Sequence, residues 1–113
     1  MDQLREISRR RKAAHAKWLK HNSKVYRAFL EMEQAAFADG ALVKKHKELI
    51  AVGISVVMDC ESCMQWHIEQ AVQAGASEKE VLEALEVGIE MGSGSATVST
   101  RFALEVLEEV YPS

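Results

Sequence analysis

One proline and six glycines are few breakers for a chain of 113 residues, and an all-β fold, which needs turn residues at short, regular intervals, is hard to build from them. Long apolar runs are scarce as well. The longest, residues 49–58, is about half of the roughly 20 residues that span a bilayer, and the polar, basic N-terminus has no apolar stretch behind it that would read as a leader. No membrane partner is therefore expected, and the cytoplasm is the expected compartment. Basic residues nearly vanish after position 47: residues 1–47 hold twelve Lys and Arg against five Asp and Glu, and residues 48–113 hold two against twelve, for a net charge of −3. The run Arg9-Arg10-Arg11-Lys12 lacks a nucleic-acid module and interleaved aromatics, so it reads as a solvated helix face that meets acidic helices of its own or a neighbouring subunit. No nucleic-acid partner is expected.

What the chain does have is 48% apolar content, enough for one compact core. The expected fold is all-α: a single-domain bundle of about six helices over residues 1–113, with an N-terminal arm over 1–21 and a core over 22–113. Leu4, Ile7, Ala14 and Trp18 recur at helical spacing in the arm. Asn22 or Ser23 is placed to cap a second helix that buries Val25, Tyr26, Phe29, Leu30, Ala36 and Phe37, with Gly40 to end it. A third segment over 43–58 is amphipathic and then almost wholly apolar, as in the central helix of a bundle. A fourth starts at Asp59 or Cys60 and stops at Gly75. Ser77-Glu78-Lys79-Glu80 has the capping-box pattern that opens a fifth. Gly92-Ser93-Gly94-Ser95 should break it before a sixth that runs to Val110, or should mark a tight turn or a close helix crossing. Met32, Met58, Met64, Met91 and Trp66 are core by default, and His15, His21 and His46 are surface.

Cysteine is the rarest informative residue. The only two stand in Cys60-Glu61-Ser62-Cys63-Met64-Gln65-Trp66-His67, and in a reducing compartment such a pair is catalytic or metal-binding more often than a staple. Two thiols one helical turn apart can close a disulfide. His67 lies a further turn along the same face. Glu48 sits on the preceding helix, about 15 Å back from the turn, against about 10 Å forward from Cys60 to His67, so antiparallel packing brings carboxylate and imidazole to similar depth. A Glu48–His67–thiol chain can then move a proton to or from sulfur. The helix dipole favours Cys60 as the thiolate, whereas the i,i+4 neighbour His67 favours Cys63.

The spacing of Glu48, Cys60, Cys63 and His67 resembles the alkylhydroperoxidase D-like proteins within the carboxymuconolactone decarboxylase superfamily, over about residues 25–110. The resemblance implies a helical fold assembled as a homo-trimer or homo-hexamer and a peroxide-reducing or disulfide-exchanging role. By it, Cys63 attacks peroxide, Cys60 is proton donor and resolving thiol, and Glu48 and His67 form the relay. Two departures stand out. Ser62 replaces a histidine that the founding members often carry before the second cysteine, and the chain is as short as the small single-motif members. The decarboxylases that name the superfamily usually lack the cysteine pair, which argues here against lactone decarboxylation.

The reading is thus a thiol-dependent peroxidase or disulfide reductase. It acts on a peroxide or disulfide and is recharged by an external thiol reductant or redox partner protein, with no organic cofactor and no resident metal. The alternatives are a non-catalytic binding or redox-sensor module, and a zinc site on the same four side chains.

Overall fold

A computed structural model describes residues 2–112, which form five helices: α1 (Asp2–Lys20), α2 (Lys24–Phe37), α3 (Lys44–Val57), α4 (Glu61–Gln73) and α5 (Glu78–Val110). No strand occurs among them, and no helix among them is long and apolar enough to cross a membrane. The chain divides into two compact units, residues 1–39 and 40–113.

The first unit is an α1–α2 hairpin. Asn22 takes a left-handed φ of 53°, and the Ser23 hydroxyl caps α2 by accepting the Tyr26 amide at 3.0 Å. Trp18 stacks on Tyr26, centroids 5.4 Å apart, and the Tyr26 hydroxyl meets His15 Nδ1 at 2.6 Å. Arg9 and Arg10 are exposed and pair with Glu6 on their own helix. Here the sequence expectation is corrected: no residue of α2 is buried, and Val25, Phe29 and Met32 form an open apolar stripe, Val25 at 81% exposure. The i, i+4, i+7 spacing was a true amphipathic signal, but periodicity does not say what covers the face.

The second unit has α3 at its centre, packed on α4 and α5, which also touch each other. Val52, Val56, Met64, Ile68, Ala71, Val81, Ala103 and Val106 are fully or almost fully buried. α3 and α5 cross where both are small. A Cβ added to Gly88 would lie 2.9 Å from the Gly53 carbonyl oxygen and 3.2 Å from Val56 Cβ, so only glycine permits this approach. The capping box closes as expected, with Glu80 N–H donating to Ser77 Oγ at 3.1 Å and Ser77 N–H to Glu80 Oε1 at 2.9 Å. The Ser77 amide, and then the Lys45 ammonium at 3.1 Å, hold the Glu80 carboxyl below the usual range. At the other end of α5 the Tyr111 hydroxyl donates to the Ala76 carbonyl. Burial first, then the charges of Glu78 and Glu80, pushes the Tyr111 phenol up.

Of two further expectations one holds and one is corrected. The glycine-serine segment breaks the helical geometry where expected: two helical stretches, written together as α5, meet at a kink at Ser93, which stands at φ 55°, ψ −136°. The hydroxyls of Ser95 and Thr97 donate to the Gly92 and Ser93 carbonyls, both at 3.2 Å, which satisfies backbone groups that a kink would strand. The default of buried methionines fails at Met32, Met58 and Met91, which are 63%, 65% and 71% exposed. Met64 alone of those named is core. Half of the apolar face of α3 also points outward. Ile50, Ile54 and Val57, with Val87 and Met91 of α5, line an apolar groove of about 490 Å³.

Candidate active site

α3 ends in a tight turn. The amides of Met58, Asp59 and Cys60 donate back to the carbonyls of Ile54, Val56 and Ser55, and this pattern closes a helix with one residue in left-handed geometry. Cys60 leaves that turn extended, at φ −110° and ψ 99°, and is the N-cap of α4. Its Sγ accepts the Cys63 amide at 3.2 Å. The expected helix start at Asp59 or Cys60 is thus one or two residues early, and the cysteine is a cap, not a member, of the helix.

Cys60 and Cys63 are joined by a disulfide, their Cα atoms 5.2 Å apart. Both are partly exposed. One turn beyond, His67 Nδ1 lies 2.7 Å from Glu48 Oε1. A carboxylate only accepts, so the shared proton is on Nδ1, and in a neutral ring Nε2 then carries the lone pair. The helix-rise arithmetic that placed Glu48 beside His67 agrees with this contact.

Glu48 is 2% exposed, and a buried carboxylate needs partners. Its second oxygen, Oε2, accepts from Lys44 Nζ at 2.8 Å. Lys44 was not singled out from the sequence, although a Lys four residues before a Glu on a helix is a recognisable pair. Exposure rises outward from Glu48 on both sides, from 2% at its side chain to 15% at His67 and 41% at Lys44. Among the described residues no group of three or more His, Cys, Asp and Glu is arranged to hold a metal ion. Met64 is buried and Trp66 half-buried beside the pair.

An all-helical unit with a disulfide at a helix start, backed by a buried carboxylate–imidazole contact, defines a class of helical dithiol proteins. Residues 23–109 match the carboxymuconolactone decarboxylase family, and the chain belongs to that family. It is 41% identical over 83 residues, 74% of this chain and 75% of the relative, to uncharacterized protein 4 in the cox locus of Paracoccus denitrificans. Among solved structures, a carboxymuconolactone decarboxylase family protein from Legionella pneumophila superposes with TM-score 0.91 at 35% identity, covering 96% of this chain and 97% of that one. A second family member, from Thermotoga maritima, for which involvement in an antioxidative response has been suggested, gives TM-score 0.84 at 28% identity over 93% of this chain and 89% of that one.

Proposed function

We propose that this protein is a thiol-dependent peroxidase or disulfide reductase that works by cycling Cys60 and Cys63 between dithiol and disulfide. The observation that carries the reading is the Glu48–His67 hydrogen bond of 2.7 Å, one helical turn from the sulfurs. An imidazole so oriented can take a proton from a thiol and return it to a leaving oxygen.

We assign the attack to Cys63, whose i,i+4 neighbour is His67. The Cys63 thiolate attacks one peroxide oxygen, the O–O bond breaks, and the other oxygen leaves with the electron pair and a proton as alcohol or water. Cys63 is left as a sulfenic acid. The Cys60 sulfur, favoured as an anion by the Cys63 amide and the helix end, then attacks it. The S–S bond forms and the hydroxyl departs as water. An external thiol reductant or redox partner protein restores both thiols by exchange. With a disulfide as substrate the same pair forms through a mixed disulfide instead.

One equivalent of peroxide added to the reduced protein should consume both of its cysteine thiols per chain without covalent dimers, and a dithiol should restore them. Crosslinked chains as the main product, or an unchanged thiol count, would sink the proposal.

We also place the chain in a homo-trimer or homo-hexamer. Ile54, Val87 and Met91, at 53%, 63% and 71% exposure, are the kind of contiguous apolar surface that a second copy covers. Light scattering at micromolar concentration should return three or six chain masses. A monomer would defeat this assignment and leave the thiol chemistry untouched.

A further inference from the structure

Helices α3 and α4 end in the same backbone motif with different residues at its critical position. In α4 the amides of Ala74, Gly75 and Ala76 donate to Gln70, Val72 and Ala71, the spacing repeated at Met58, Asp59 and Cys60 in α3. The middle residue of each turn has a left-handed φ: 97° for Gly75 and 54° for Asp59. Glycine takes that conformation freely, whereas an L side chain is strained in it, aspartate and asparagine least.

The carboxylate at 59 has an occupation that a glycine could not have. Its Oδ1 accepts from Ser99 Oγ at 2.7 Å, a bond that spans 40 residues of sequence and joins the turn to α5. Ser99 is 7% exposed, and its hydroxyl also lies 3.2 Å from the Ser95 carbonyl on its own helix, so its position is fixed. The next residue after Asp59 is Cys60, whose sulfur caps α4. We propose that Asp59, held by Ser99, is a positioning residue for the redox pair: the bond anchors the α3–α4 turn to α5 and keeps the Cys60 sulfur over Cys63 when no covalent bond does so. The inference rests on the dithiol–disulfide cycle proposed above.

The consequence is a raised effective concentration of one sulfur at the other, since a group held near its reacting geometry has little freedom left to lose on closing the bond. The test uses the full chain equilibrated in mixtures of reduced and oxidised glutathione, with the equilibrium constant for the Cys60–Cys63 disulfide read from trapped thiols and the melting temperature measured in parallel. Asp59→Gly should melt at or above wild type, because glycine suits the turn, yet its disulfide equilibrium constant should fall by roughly three- to tenfold, the typical worth of one hydrogen bond. Ser99→Ala, which leaves the turn's backbone unchanged, should show the same fall. Asp59→Asn should stay within about twofold of wild type, because its amide oxygen accepts the same hydroxyl and asparagine tolerates the left-handed region.

Wild-type constants in both Asp59→Gly and Ser99→Ala would overturn the tether. So would an Asp59→Asn loss as large as that of Asp59→Gly, which would transfer the effect to charge. Peroxide consumption is assayed separately. A wild-type protein that closes the disulfide in glutathione but consumes no peroxide defeats the peroxidase reading while these constants still decide the tether.

Discussion

Glu48→Gln and His67→Asn should each slow the reaction of the reduced protein with peroxide by about 10²–10⁴-fold, the usual worth of a positioned acid–base group, with helicity and assembly nearly intact. Glu48→Gln keeps an oxygen for His67 Nδ1 but removes the charge that now faces both Nδ1 at 2.7 Å and Lys44 Nζ at 2.8 Å. His67→Asn retains a polar head but has no nitrogen able to exchange a proton near neutral pH. Stopped-flow rates across pH should also show a raised apparent pKa for the reactive thiol in both variants. If the four residues held zinc instead, the same substitutions would lower metal content and melting temperature together. Variants with wild-type rates and wild-type stability would reduce Glu48 and His67 to bystanders.

The second large effect is on stability. Met64 stands between Cys63 and His67 in α4, and its side chain is fully buried. Met64→Ala should remove about 2–5 kcal/mol, a drop in melting temperature of roughly 10–20 °C for a chain of this size. Met58, only six positions earlier but 65% exposed, is the control: Met58→Ala should change stability by less than about 0.5 kcal/mol. Calorimetry giving similar values for the two would contradict the burial described for α4.

These two methionines also mark where the sequence was legible and where it was not. Helix content, the capping box at Ser77 and the depth match of Glu48 with His67 all follow from local rules: propensity, a four-residue pattern, and a fixed rise per residue. The methionines do not. Apolar periodicity identifies a face, and a face can be covered by the same chain or by another, so Met64 and Met58 carry the same signal with opposite outcomes. Val25 and Phe29 on α2 misled for the same reason. The glycine-serine segment was legible as a break, since Ser93 leaves helical geometry there, but breaker residues alone do not reveal that the hydroxyls of Ser95 and Thr97 take up the carbonyls at the kink. Ser99 carried no sequence signal, and Lys44, recognisable as an i,i+4 partner of Glu48, carried none for its importance, because each gains its significance from one contact. Lys44 meets a carboxylate whose burial depends on the whole packing of α3, and Ser99 reaches a turn 40 residues away.

Because the cap of α4 is itself one of the two sulfurs proposed to cycle, electron affinity and helix-end stability would share a single thermodynamic cycle. An anionic sulfur at position 60 accepts the Cys63 amide more strongly than a disulfide sulfur does. Where the thiolate is the main reduced form, every increment by which the helix end favours that anion favours the reduced protein by the same free energy. Glu61 stands in the first turn of α4 and competes for the same positive helix end. On the proposed cycle, the first turn of α4 is therefore a dial for the reduction potential, one that sequence drift can turn without touching either cysteine.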